Sequence, residues 1–251
     1  MKGRGESGVA EAAEVIDRLR GALSQLELSD RCRASFTGRP VMTHGFFPGG
    51  NGLWQGVDAI QLPVRGVLVL GSNFGSLGKF VNEQGKLVVL DERENKTWRP
   101  LRKILDGSGI DVEECFFTNA WPFLHHGDSN LAPDIANWLG DPALMDSCRR
   151  FFKVTLAEIM PRMIVALGKG PAAFLGSVWP EQLGQWRRYK ISALDDLPMA
   201  PVCVENKEAI CVAVTHPSMP NAWRRRPPYQ GRIGEVQLLI EAHNQSCLIN
   251  D

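Results

Sequence analysis

Three polar side chains, Asn73, Asn119 and His216, each stand at the end of an apolar run. The runs are Val67-Leu68-Val69-Leu70, Cys115-Phe116-Phe117-Thr118 and Val212-Ala213-Val214-Thr215. An amide carries a donor and an acceptor, so Asn119 suits reading the polar edge of a ring. An imidazole such as His216 can donate a hydrogen bond to an oxygen as negative charge develops on it. A second amide, Asn73, could hold and orient a water. It cannot act as a strong base, so the chemistry in view is hydrolysis by positioning.

Such residues work together only if their strands end on one side of a sheet. Strand-like runs occur at 66–70, 114–118, 162–167 and 210–215, with helical patterns at 97–107, 142–160, 170–178 and 230–244. This alternation argues for an α/β fold with three α/β/α layers and a four-stranded, mostly parallel central sheet. In such sheets ligands bind beyond the carboxyl ends of the strands, where side chains distant in sequence converge. Upstream, Val9, Ala12, Ile16, Leu19, Leu23 and Leu26 make one stripe on a helix over 8–27. Residues 36–56, rich in Gly, Pro and Phe, read as irregular chain with turns. The expected organisation is an N-terminal helix and extension over 1–64 packed on an α/β domain over 65–251.

Composition sets bounds. A chain of 251 residues with 44% hydrophobic and 22% charged side chains has ample core for a soluble domain. No apolar run approaches the ~20 residues that span a bilayer, and no h-region follows the first residues, so the cytoplasm is the expected compartment. Cys32, Cys115, Cys148, Cys203, Cys211 and Cys247 form no C-x-x-C pair and read as free thiols, with Cys115 and Cys211 buried in strands. The adjacent pair His125-His126 lacks the spacing of metal ligands, and neither a metal nor another cofactor is expected. Formal net charge is zero, but residues 145–232 hold 13 Lys+Arg against 7 Asp+Glu, with clusters at Arg149-Arg150, Arg187-Arg188-Tyr189-Lys190 and Arg224-Arg225-Arg226. A one-sided basic face suits a phosphate backbone.

Familiar phosphate loops fit poorly. Around Gly78-Lys79 a P-loop would need Gly at Asn73 and a hydroxyl at Phe80. A dinucleotide fingerprint breaks at Gly71-Ser72-Asn73, although Asp91, after the strand-like Leu87–Leu90, sits where a ribose-binding acid would. No G-x-S-x-G elbow occurs.

What remains is a pattern in order: Gly71-Ser72-Asn73-Phe74-Gly75, then Thr118-Asn119, then His216-Pro217-Ser218. It resembles the uracil-DNA glycosylase superfamily, which carries a Gly-rich motif after its first core strand, an Asn after the second and H-P-S after the last. Ala166-Leu167-Gly168-Lys169-Gly170-Pro171-Ala172-Ala173 is similar to the superfamily's apolar strand, glycine turn and Ala-rich helix. The resemblance covers roughly 65–240. Phe74 stands where the superfamily has Pro, and Asn73 is the residue type of the mismatch-specific and single-strand-selective branches. The stretch 76–96 is longer than the pattern requires and reads as an insertion.

The resemblance implies a monofunctional DNA glycosylase that flips out a pyrimidine (uracil, mismatched or modified) and hydrolyses its N-glycosidic bond. Asn73 and His216 are the expected catalytic pair and Asn119 the base reader. Phe74, Phe80 and Trp98 are candidates for a stacking wall. Ser72, Lys169, Ser218, Met219, Trp223, Arg224, Arg225 and Arg226 are candidates for DNA contact, with Met219 or Trp223 as a wedge. DNA is the expected partner, with no membrane, and a monomer is expected. Two other classes fit less of the pattern: a non-catalytic binder of nucleic acid or modified bases on the same fold, and a nucleotide-binding Rossmann-like protein.

Overall fold

Strands that are apolar at every position can lie only inside a sheet covered on both faces. Three strands of this kind form the middle of this protein: β2 (Val67–Gly71), β5 (Met163–Leu167) and β7 (Lys207–Val214), which is apolar from Ala209 onward after an exposed Lys207-Glu208. The computed structural model describes residues 14–26 except 16 and 20, together with 36–40, 63–73, 97–125, 138–219 and 232–249. With β3 (Cys115–Asn119) and β6 (Met199–Val204) they make a five-stranded sheet in the order β3-β2-β5-β7-β6. The first four strands are parallel and in register, from Gly71 opposite Asn119 to Leu167 opposite Val214.

The central sheet thus has one strand more than the sequence reading gave it. β6 runs antiparallel to β7, with Pro201 opposite Ile210. Its signal is weak for a physical reason. Pro201 has no N–H to donate, a defect that an edge strand tolerates, and burial alternates along the strand. The β6–β7 hairpin turns at Glu205-Asn206, both left-handed at φ 46° and 63°, as a two-residue turn matched to strand twist requires. A second correction lies upstream. Phe36–Pro40, read as irregular chain, is a strand (β1) that pairs antiparallel with β4 (Phe123–His125) in a separate two-stranded sheet. Gly38 and Pro40 masked the pattern, and the partner lies far off in sequence.

Helices cover both faces. Leu68, Leu70, Phe116, Ile164, Ala166, Cys211 and Ala213 meet α2 (Pro142–Ile159) and α3 (Lys169–Val178) in one core. The alternate residues Val67, Val69, Val165, Val212 and Val214 meet α1 (Trp98–Gly107) and α6 (Arg232–Leu248) in the other. Each fully buried Val, Leu or Ile contributes roughly 1.5–3 kcal/mol. Side chains of a strand alternate between faces, so a slip of one residue would exchange the two cores. Helix α2 starts where Asp141 accepts a hydrogen bond from the Leu144 N–H at 3.0 Å, ahead of Pro142, and stops at left-handed Met160. Short helices α4 (Pro180–Leu183) and α5 (Ile191–Asp196) flank a 3₁₀ turn, Gly184–Arg188.

The described part of the N-terminal stretch is helical, as its periodicity predicts. Val15, Leu19 and Leu23 are buried in the first core. Arg18 fixes it to α2 through two bonds to Glu158, at 2.6 and 2.8 Å. Val9, Ala12 and Ile16 lie outside the described residues, as do the run 87–91 and the whole stretch 76–96. No helix among the described residues is long and apolar enough to cross a membrane.

Candidate functional site

Four parallel strands in register finish on one edge. There β2 delivers Ser72 and Asn73, β3 delivers Asn119, β5 delivers Gly168 and Lys169, and β7 delivers Thr215 and His216. Asn73 and Asn119 therefore leave neighbouring strands. The ladder continues past them, with the Ala120 N–H donating to Gly71 O at 2.9 Å and the Trp121 N–H to Ser72 O at 3.0 Å.

His216 comes from further away, because β5 stands between β2 and β7. The residue that ends β5 resolves the separation. Gly168 has φ 86° and ψ −174°, a conformation nearly reserved to glycine. A Cβ on it would lie 3.0 Å from His216 Cβ. His216 thus rests on the bare backbone of the intervening strand end.

The imidazole is held by the turn that follows. The Met219 N–H donates to His216 O at 2.9 Å, closing the turn over buried Pro217. The Ser218 N–H donates to His216 Nδ1 at 3.3 Å, and Ser218 Oγ lies 2.8 Å from the same nitrogen. A backbone N–H can only donate, so Nδ1 accepts and a neutral ring carries its proton on Nε2. Burial pushes the His216 pKa down to about 4, so the ring is neutral near pH 7.

Behind the histidine, Thr215 is gripped by a carboxylate the sequence did not single out. Glu235, in the first turn of α6, is fully buried and accepts from Thr215 Oγ1 at 2.8 Å and from the Thr215 N–H at 3.3 Å. In sequence it is one acidic residue in a helical pattern, which ordinarily reads as solvent-facing.

Asn119 presents the opposite condition. It is 2% exposed, and neither its Nδ2 nor its Oδ1 has a hydrogen-bond partner among the described residues. The same is true of Ser72 Oγ and Trp121 Nε1. Buried polar atoms are normally paired, and each one left unpaired costs ~1–3 kcal/mol. A donor and an acceptor on one buried amide, at the sheet edge where ligands bind, are suited to a ligand with both.

The remaining expected residues divide as follows. Asn73 is half-buried just beyond β2. Trp98 is buried in the second core, edge-on to Phe117 with ring centroids 5.0 Å apart. Since Phe117 precedes Asn119 by two residues on β3, Trp98 supports the strand that carries it. Lys169 is half-buried as the first residue of α3, Ser218 is exposed, and Met219 is 56% exposed beside His216. Phe74, Phe80, Trp223, Arg224, Arg225 and Arg226 lie outside the described residues.

The family model of the uracil DNA glycosylase superfamily matches residues 26–233, most of the chain and all of these strand ends. The chain belongs to that superfamily. No curated protein sequence matches it. The α/β architecture with its mostly parallel sheet agrees with membership, and the superfamily acts on DNA. Among the described residues no group of three or more His, Cys, Asp or Glu could hold a metal ion. Among the described residues Cys115, Cys148, Cys203, Cys211 and Cys247 form no disulfide, and burial pushes the Cys115 and Cys211 thiols far up.

Proposed function

We propose that this superfamily member is a DNA glycosylase that flips a pyrimidine from the duplex and hydrolyses its N-glycosidic bond. The observation that carries the reading is the Asn119 amide, buried at a strand end with both polar atoms unpaired among the described residues. A pyrimidine edge carries donor and acceptor side by side and satisfies both atoms at once.

The chemistry needs little from the protein beyond placement. As the bond to the sugar breaks, its electron pair stays with the base, and charge gathers on the base carbonyl oxygen. The neutral His216 ring donates its Nε2–H to that oxygen, an interaction that strengthens only as the charge develops. Asn73 orients the water that adds to the cationic sugar carbon, and the water's proton passes to solvent. Because that carbon is a strong electrophile, an amide suffices where a weaker electrophile would require a base. Met219, exposed beside His216, fills the gap left in the stack on this reading.

A panel of oligonucleotides tests this, carrying uracil, mismatched thymine or modified pyrimidines in single- and double-stranded form and scored for abasic sites. At least one base is released by the wild type. Asn73→Ala and His216→Ala fold normally, and the His216 variant is ~10²–10³-fold slower, as for loss of one oxyanion donor. Base binding without release by the wild type would make the protein a reader of modified bases. Full activity in both variants would refute the mechanism.

A further inference from the structure

The basic cluster Arg187-Arg188-Tyr189-Lys190 plays no part in the reading above, and the fold attaches it to the rim of the same cleft. The 3₁₀ turn Gly184–Arg188 is pressed against α3 at Gly176. A Cβ there would come within 2.7 Å of Leu183 O and 3.0 Å of Arg187 Cγ. Trp186, fully buried, anchors the turn by donating its Nε1–H to Leu197 O at 2.7 Å. Tyr189 then reverses the chain at φ 53°. Its ring lies under the Lys169 ammonium, with Nζ 4.4 Å from the centroid. Lys169 directly follows Gly168, the residue on which His216 rests.

The charges in this cluster also stand close together on one anchored turn. Arg187, Arg188 and Lys190 are exposed and make no ion pair or side-chain hydrogen bond among the described residues. Three other arginines are held in ion pairs: Arg18 with Glu158, Arg149 with Asp146, Arg162 with Glu114. A rigid turn that fixes unpaired cations costs self-repulsion unless an anion meets them. On a chain of zero net charge this is a local device and not a consequence of composition.

We infer that Arg187, Arg188 and Lys190, joined to the cleft by the Lys169–Tyr189 stack, form a phosphate-binding ridge that holds the DNA backbone beyond the flipped nucleotide. The inference rests on the glycosylase reading. Each DNA strand offers a phosphate every ~3.4 Å of helix axis, so a short rigid row of cations can meet several.

The test compares full-length wild type with Arg187→Gln/Arg188→Gln/Lys190→Gln by fluorescence anisotropy on labelled duplex DNA, from about 50 to about 200 mM salt. Three lost contacts at ~0.9 each lower the slope of log K against log salt by up to ~2.7, so the wild type loses about 40-fold more affinity than the variant over that range. Arg149→Gln/Arg150→Gln removes charge from α2 and leaves the slope unchanged. An equal fall in that control, or no fall in the ridge variant while wild-type binding depends on salt, overturns the ridge and leaves the glycosylase reading intact. Wild type that binds no DNA at any salt overturns both. Arg188→Gln alone, with a slope change near 0.9, serves if the triple variant is unfolded.

Discussion

A neutral His216 is the most exposed point of the mechanism, and pH is the cleanest way to press on it. With a pKa of about 4, roughly one ring in a thousand is charged at pH 7. A reaction that uses the neutral Nε2–H donor therefore runs at constant kcat from about pH 5 to about pH 8 and falls only as pH drops toward 4, where a proton on Nδ1 breaks the Ser218 N–H bond that holds the ring in place. A reaction that needed the charged ring would lose tenfold per pH unit above 4 and be nearly silent at neutrality. Stability follows the same group. The folded value lies below the ordinary 6.5, so the unfolded chain binds more protons between the two. Stability is then full above about 6.5 and is lost as pH falls through the window toward 4. The interval corresponds to about 3 kcal/mol at ~1.4 kcal/mol per pH unit, and the exposure His216 retains reduces the expectation to about 2 kcal/mol. A ¹⁵N NMR titration, with His216→Gln to assign the ring, reads tautomer and midpoint directly. A proton on Nδ1, or a midpoint near 6.5, would refute the reasoning.

Other outcomes follow from the same cleft. Asn119→Leu removes two unpaired buried polar atoms at nearly constant shape; denaturant unfolding should show a gain of ~1–3 kcal/mol while base release is lost. Gly168→Ala forces a side chain into φ 86° and against His216; a loss of ~1–3 kcal/mol and slower excision are expected from melting and single-turnover assays. Charge reversal at Arg224, Arg225 and Arg226 lowers DNA affinity and flattens its salt dependence, and an unchanged slope in anisotropy would remove them from the interface.

The parts of this fold legible in sequence are those set by local pattern. Val67–Leu70 and Val212–Val214 are apolar without interruption, so burial on both faces and a polar exit at Asn73 and His216 follow from the residues alone. β6 was hidden by Pro201 and its alternation, although Glu205-Asn206 is a turn signal in retrospect. β1 was hidden because its partner is Phe123–His125, and no local signal reports a distant pairing. In the site, the order of the three motifs was readable. That β5 intervenes between Asn73 and His216, and that Gly168 closes the distance, depends on strand order, which periodicity does not encode. Glu235 illustrates the same limit: its role exists only because α6 docks against the end of β7.

That docking has a consequence for how the site is held. The reactive end of β7 is latched by a residue 20 positions later in the chain. The four parallel strands hold both amides by themselves, but the fastening of Thr215, and with it the turn that carries the imidazole, depends on α6. The end of β7 that carries His216 is thus fastened by contact with α6 and not by the sheet alone.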